Sequence, residues 1–212
     1  DFITRCEESI QTIAHSCNGI AAIIGAPSRN TNAKGKPLFN AAYFLADGKI
    51  QQVVHKTLLP NYDIFDEYRY FEPNTHFNII QYKNKRIALT ICEDIWNVEE
   101  QPMYVLNPLD ELMQHHPDLI INISASPFNY QQEKLRKETI LKNIQKYNLP
   151  LIYVNHVGAQ TELIFDGGSL AVSNSGVIKK ELHYFKEDLQ YISLSELQTN
   201  TVKDTINTIE VH

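Results

Sequence analysis

The residues best suited to covalent chemistry lie in the segment LTICEDIW, residues 89–96. Cys92 follows an apolar run and precedes two acidic residues and the only tryptophan of the chain. A cysteine acts as a nucleophile when its surroundings favour the thiolate or when a base takes its proton during attack. A thiol at the end of a buried strand can also be a small apolar core residue. The adjacent carboxylates argue against that alternative, because carboxylates are rarely buried without a partner.

A second candidate is Lys56, which ends the strand-like run KIQQVVHK. The irregular segment after it is rich in aromatic and acidic side chains. A lysine at the end of a strand is often simply solvated. Beside a strand-end cysteine, however, its cation would stabilise the oxyanion of a tetrahedral intermediate. Together, Cys92 and Lys56 predict acyl transfer with a thiol nucleophile.

These two residues need strands to position them, and short apolar or alternating runs predict strands at 20–27, 118–124 and within the segments LPLIYVNHVG and GGSLAVSNSGVIKKEL. The first of these strands is continuously apolar, which predicts cover on both faces. Turn residues predict hairpins at Asp47-Gly48, within 40–56, and at Lys83-Asn84, within 77–92.

Helical periodicity is present at the start of the chain, around 103–115 and over 129–148. The first helix has apolar positions at Phe2, Ile3, Cys6, Ile10, Ile13 and Ala14. The third helix places Leu135, Ile140, Leu141 and Ile144 on one face. Hairpins mixed with helix-linked strands predict an α/β protein in which sheets are layered with helices, as in a four-layer sandwich.

Composition limits the function classes. The 212 residues carry a net charge of -6 and 43% hydrophobic residues, which suits one large domain and excludes a basic surface for nucleic acid. No apolar stretch approaches the roughly 20 residues that cross a membrane. The three cysteines, at 6, 17 and 92, cannot all pair, so free thiols and a cytoplasmic location are expected. We predict one domain over 1–195 and a tail or linker over 196–212.

Four segments carry a resemblance to a known family: HKTLLPNYDIFDEYRYF, LTICEDIW, INISASPF and YVNHVGAQTELIFDGGS. In this order they resemble the nitrilase superfamily, and within it the glutaminase domains of glutamine-dependent NAD synthetases. The resemblance implies an α-β-β-α sandwich and a Glu-Lys-Cys triad. It also implies that Cys92 attacks the side-chain amide of glutamine and that Lys56 is the cation on the oxyanion side.

The same resemblance implies a glutamine pocket lined by Tyr62, Phe65, Glu67, Glu93, Trp96 and Ser126. Carboxylates such as Glu67 and Glu93 suit the ammonium group of a free amino acid, and aromatic walls suit its aliphatic stem. Glu67 could instead orient Lys56, and the sequence does not choose between these roles.

Two features differ from the family pattern. The triad glutamate of the family precedes the stretch that resembles DFITRCEESI, so the chain is expected to lack the first strand and the general base and to hydrolyse glutamine poorly by itself. Gln132 stands where relatives often carry a basic residue, which affects recognition of the substrate carboxylate. No pyrophosphate loop opens a helix, and the segment DGGS at 166–169 suits a turn better. ATP and magnesium are therefore expected only on an absent synthetase domain, and this domain is expected to need no cofactor.

Other interpretations remain. The adjacent histidines 115 and 116 diverge on a helix and predict no metal site. His55 and His156 leave a Cys-His hydrolase possible, although packed or hydrogen-bonded rings are the simpler interpretation. A stand-alone amidase for another small amide and a non-catalytic assembly domain are the alternative functions. By resemblance, the partners are glutamine, a synthetase domain and further copies in a homo-oligomer.

Overall fold

The computed structural model describes residues 1–198. It divides the chain into two compact units, Asp1–His116 and Pro117 onwards. The predicted domain of 1–195 therefore contains two units, which the sequence did not separate.

The first unit begins with helix α1, Phe2–Ser16, whose N-terminus is capped by the Asp1 side chain. Three antiparallel strands follow in the order β1-β2-β3: β1 (Ala21–Arg29), β2 (Leu38–Ala46) and β3 (Lys49–His55). Asp47 and Gly48 join β2 to β3, both with positive φ, as the two-residue hairpin turn requires. This predicted hairpin is confirmed.

A second predicted hairpin is also confirmed. Strand β4 (Ile80–Tyr82) pairs antiparallel with β5 (Lys85–Ile91), and the connecting Lys83 and Asn84 both have positive φ. A 3-10 helix, Cys92–Ile95, continues directly from β5, and another spans Glu67–Arg69.

The helix predicted around 103–115 is shorter in the structure. Helix α2 spans Pro108–Met113, because Asn107 caps it and Pro108 fixes its first turn. Residues 103–107 are not helical. The run of apolar side chains before Pro108 therefore belongs to a loop.

In the second unit, four strands lie in the order β11-β10-β7-β6, with β6 and β7 parallel and the other pairs antiparallel. Their bounds are β6 (Leu119–Ser124), β7 (Leu151–Asn155), β10 (Leu170–Val172) and β11 (Ile178–Glu181). Helix α3, Gln132–Tyr147, makes the crossover from β6 to β7 and ends at Asn148 in the left-handed conformation. A separate hairpin of β8 (Val157–Gln160) and β9 (Leu163–Asp166) was not predicted.

The core of the first unit forms between α1 and the β1-β2-β3 sheet, where Ile10, Ala14 and Cys17 pack on Ala41, Tyr43 and Leu45. Strand β1 is an edge strand and is mostly half-buried, so the prediction that both its faces are covered is wrong.

For two helices, the predicted apolar face included residues that are exposed in the structure. Phe2 and Ile13 of α1 are 72% and 38% exposed, and Leu135 of α3 is 41% exposed. The buried face of α3 instead combines Ile140 and Ile144 with polar residues.

The chain end was predicted to be a tail from residue 196. A short 3-10 turn spans Glu196–Gln198, and its Leu197 is fully buried against Leu119 and Ala171. Residues 199–212 lie outside the described part. Among the described residues, no helix is both long and apolar enough to cross a membrane.

Candidate active site

Cys92 lies at a sharp turn where β5 ends and the 3-10 helix begins. Its φ of 44° is in the left-handed region, which costs a non-glycine residue roughly 1–2 kcal/mol. Local strain of this kind is concentrated at functional sites. Cys92 is in no disulfide and is half-buried, whereas Cys17 is buried in the core. Cys92 is therefore placed as a reactive thiol would be and not as a core residue.

Lys56 directly follows β3, and its side chain is only 1% exposed. Its Nζ donates to both carboxylate oxygens of Glu67, at 2.7 Å and 2.8 Å. Asn40 donates to the same carboxylate at 3.2 Å. Burial alone would lower the pKa of Lys56, but the nearby Cys92 thiolate and then Glu67 outweigh burial and raise it. Lys56 is thus a buried cation close to Cys92.

The Lys56–Glu67 pair decides between the two roles that the sequence left open for Glu67. Both of its carboxylate oxygens already accept hydrogen bonds from Lys56, so Glu67 orients the lysine. The 3-10 helix Glu67–Arg69 holds the carboxylate there.

Asp94 joins the two strand ends. Its Oδ1 accepts from the backbone N–H groups of Thr57 and Leu58, at 3.0 Å and 2.9 Å, and its Oδ2 accepts from Ile91 at 3.1 Å. Thr57 and Leu58 directly follow Lys56, and Ile91 directly precedes Cys92. Burial raises the pKa of Asp94 to about 6 in spite of these bonds, so the carboxylate is ionised at neutral pH.

Glu93 is buried at 6% exposure and accepts from two tyrosines. Tyr62 Oη lies 2.7 Å and Tyr104 Oη 3.2 Å from its Oε1. Burial raises the pKa of Glu93, and the hydrogen bond from Tyr62, the charge of Lys56 and the bond from Tyr104 oppose that shift. Glu93 is thus an acidic group held beside Cys92 by two neutral donors.

Aromatic side chains stand beside these polar groups. Phe65 is half-buried and packs edge-on against Tyr62, with ring centroids 5.8 Å apart. Trp96 is half-buried and follows the last residue of the 3-10 helix that begins at Cys92. Its backbone N–H donates to the Glu93 carbonyl. These rings supply apolar surface on the two segments that carry Lys56 and Cys92.

Ser126 lies in the second unit, where it is 3% exposed. Its N–H donates to Asn155 Oδ1 at 2.9 Å, and its Oγ accepts from Gln132 Nε2 at 3.3 Å. A buried ion pair between Arg136 and Asp166 adjoins this network through Asn155.

Of the eight predicted site residues, seven lie in the first unit and Ser126 lies in the second. Sequence reasoning missed Asp94 and Tyr104 as members of the site. The carboxylate pair after Cys92 was a signal for Asp94, since a buried carboxylate needs donors. Tyr104 had no such signal, because its loop was assigned to a helix.

The remaining candidates have structural explanations. His55 stacks on Phe39 at 3.9 Å and hydrogen-bonds Ser28 Oγ at 3.1 Å. His156 is exposed and packs edge-on against Phe165. The two glycines of DGGS have positive φ and precede β10, as the predicted turn requires. Within residues 1–198, no group of three His, Cys, Asp or Glu side chains could hold a metal ion.

A family model described as carbon-nitrogen hydrolase matches residues 8–207. The glutamine-dependent NAD(+) synthetase of Synechocystis is 41% identical over 199 residues, which cover 91% of this chain and 36% of that protein. The protein of the same name from Thermotoga maritima is 35% identical over 91% of this chain and 32% of its own. The chain therefore spans about a third of the length of these curated relatives.

Solved structures show the same likeness. The glutamine-dependent NAD+ synthetase of Acinetobacter baumannii, in complex with ADP, has a TM-score of 0.77 at 30% identity, over 87% of this chain and 33% of its own. A carbon-nitrogen hydrolase from Helicobacter pylori G27 has a TM-score of 0.69 at 23% identity, over 88% and 66%. A nitrilase-superfamily amidase from Nesterenkonia has a TM-score of 0.66 at 19% identity, over 85% of this chain and 63% of its own. The last two show the fold alone, and the predicted nitrilase-type α/β class is confirmed.

Proposed function

The chain belongs to the carbon-nitrogen hydrolase family, and we propose that, as part of a longer protein, it hydrolyses the side-chain amide of glutamine through a thioester on Cys92. The relatives named above are glutamine-dependent synthetases, which supports glutamine as the amide donor. The observation that carries the proposal is the buried Lys56 cation, fixed by Glu67 beside a strained, half-buried thiol. A non-catalytic assembly domain would have no need of a buried cation in that place.

The chemistry divides into two steps. Cys92 Sγ attacks the amide carbon, and the carbonyl oxygen becomes an oxyanion that the Lys56 ammonium stabilises. The carbon–nitrogen bond then breaks, and ammonia leaves with the proton that the thiol gave up. Water next attacks the thioester carbon, the carbon–sulfur bond breaks, and glutamate and the free thiol are released.

Substrate recognition follows from the same geometry. Because Glu67 is committed to Lys56, Glu93 is the carboxylate left to bind the substrate ammonium. Tyr62, Phe65 and Trp96 would enclose the aliphatic stem and keep water from it. By resemblance to the family, Ser126 of the second unit remains a proposed substrate-binding residue.

The ammonia would serve a further reaction. We propose that it supports ATP-dependent NAD synthesis on a separate synthetase domain, since that is the named activity of relatives about three times the length of this chain. ATP and magnesium would bind that domain, while amide hydrolysis itself uses only side chains. Glutamine and the synthetase domain are thus the proposed partners, in a homo-oligomer.

The test is ammonia release from glutamine by the full-length protein, together with mass-spectrometric detection of Cys92 labelled by a chloroketone analogue of glutamine. Cys92→Ala should abolish both signals. The matched control is Cys6→Ala, which removes a half-buried thiol of α1 and should leave both unchanged. Continued ammonia release by Cys92→Ala would contradict the proposal. Faster turnover of another small amide than of glutamine would favour the stand-alone amidase.

A further inference from the structure

The carboxylate of Glu93 is bound asymmetrically. Both hydrogen bonds that its side chain receives within residues 1–198 end on Oε1, from Tyr62 and Tyr104. Among the described residues, Oε2 of Glu93 is not one of the side-chain atoms that are both buried and without a hydrogen-bond partner. One oxygen is therefore fixed by two donors, and the other is not sealed from solvent.

Tyr104 reaches Glu93 because its backbone is held in place. The buried side chain of Asn97 accepts from the Tyr104 N–H at 3.1 Å and donates to the Tyr104 carbonyl at 2.8 Å. The same amide donates to Leu106 at 3.0 Å, and Asn107 Nδ2 donates back to the Asn97 carbonyl at 3.0 Å. The loop between the Cys92 helix and α2 is thus closed on itself with one phenol directed at Glu93.

The two phenols act as neutral donors. Burial and then Glu93 raise the pKa of Tyr62, and the same two causes raise that of Tyr104, so both keep their protons. A carboxylate that accepts two hydrogen bonds on one oxygen has its rotation fixed. The second oxygen is then oriented for a cationic donor, which would also offset the cost of burying the charge.

We propose that Tyr104 is a positioning residue that, with Tyr62, aims Glu93 Oε2 at the substrate ammonium and so selects amides with a free α-amino group. The proposal rests on the proposed function and adds to it a selection rule and a residue that enforces it. Since Tyr104 touches Glu93 and not the reacting atoms, it acts on substrate binding and not on the attack by Cys92.

The experiment compares Tyr104→Phe with the full-length wild type on two substrates, glutamine and glutaramate, which is glutamine without its α-amino group. Loss of one hydrogen bond to a charged group should raise KM for glutamine about tenfold and leave kcat nearly unchanged. KM for glutaramate should not change. Because both substrates are measured on one variant, partial unfolding would affect them alike. The matched control is Tyr70→Phe, because Tyr70 is exposed and lies in the irregular segment that follows Lys56. It should change KM for neither substrate.

The pH profile supplies a second measurement. The Tyr104 hydrogen bond lowers the pKa of Glu93, so its removal should move the acidic limb of kcat/KM for glutamine to higher pH. The other groups that face Glu93 are Tyr62, Lys56 and Glu67, with Cys92 and Asp94 flanking it in the chain, and the variant leaves all of them in place.

Three outcomes would overturn the proposal. Equal losses on both substrates would make Tyr104 merely structural. Wild-type protein that uses glutaramate as well as glutamine would refute the selection rule and leave amide hydrolysis standing. Release of ammonia from neither compound would refute the proposed function and, with it, this inference.

Discussion

The central residue is Lys56, whose ammonium group is 1% exposed. An isolated charge in such a place would be far too costly, and a buried lysine without a partner gives up its proton. Cys92 and then Glu67 both favour the charged form of Lys56, and Glu67 also accepts two short hydrogen bonds from it. The pKa of Lys56 is therefore raised, and the side chain is a cation throughout the neutral range.

A direct test at this scale is Lys56→Met, which removes the cation and keeps the length of the side chain. We expect kcat for glutamine to fall about 10²- to 10³-fold, the loss typical of removing one oxyanion donor. KM should change much less, because the substrate ammonium and stem bind other groups. Steady-state ammonia release measures both constants.

The control for this substitution is Lys49→Met, at the exposed start of the same strand β3. It should leave kcat and KM unchanged. A Lys56→Met protein that is folded and keeps kcat within a few-fold of wild type would show that the cation does not stabilise the oxyanion.

At the residue scale, the sequence predicted Cys92 and Lys56 because both follow readable strands. The sequence did not decide whether Glu67 binds the substrate or orients Lys56, because that role depends on which side chain contacts it in the fold. Tyr104 was out of reach, because its position depends on hydrogen bonds from Asn97 that no local pattern indicates.

At the scale of elements, both hairpins of the first unit were predicted, because their turns need residues that accept positive φ. Those hairpins fix where β3 and β5 end and therefore the positions of Lys56 and Cys92, which directly follow these strands. The hairpin β8–β9 was missed, since each strand is only four residues long and β8 is mostly exposed. Local turn chemistry was thus the most informative part of the sequence.

Asp94 connects these elements, and Asp94→Ala tests its role. The change leaves three backbone N–H groups without their acceptor, one of them next to Cys92 and two just after Lys56. We expect a loss of about 3–5 kcal/mol in the free energy of unfolding, measured with urea, because unsatisfied buried donors are costly. Labelling of Cys92 by the chloroketone should also slow.

Asp66→Asn is the control, since the Asp66 side chain is 59% exposed and pairs with the exposed Arg69. Its effect on stability should stay within about 0.5 kcal/mol. Unchanged stability and labelling in Asp94→Ala would mean that the strand ends are held together by other contacts.

At the scale of the whole molecule, the family was predictable because four motifs occur in order between residues 55 and 169. Its division into two units was not, since neither composition nor a linker marks residue 116. The net charge of -6 is compatible with an enzyme that acts on a small molecule. The relatives are about three times as long as this chain, in keeping with the proposal that amide hydrolysis supplies a second reaction.

The proposed division of labour predicts a selective defect. In the full-length protein, Cys92→Ala should abolish NAD formation supported by glutamine, because no thioester can form and no ammonia is released. NAD formation supported by an added ammonium salt should persist at the wild-type rate, because ammonia then reaches the synthetase reaction without this site. Cys6→Ala should support both reactions, and the measurement is NAD formed per unit time with each nitrogen source. Undiminished glutamine-supported synthesis by Cys92→Ala would place the nucleophile elsewhere, since no other step in the scheme forms ammonia from glutamine.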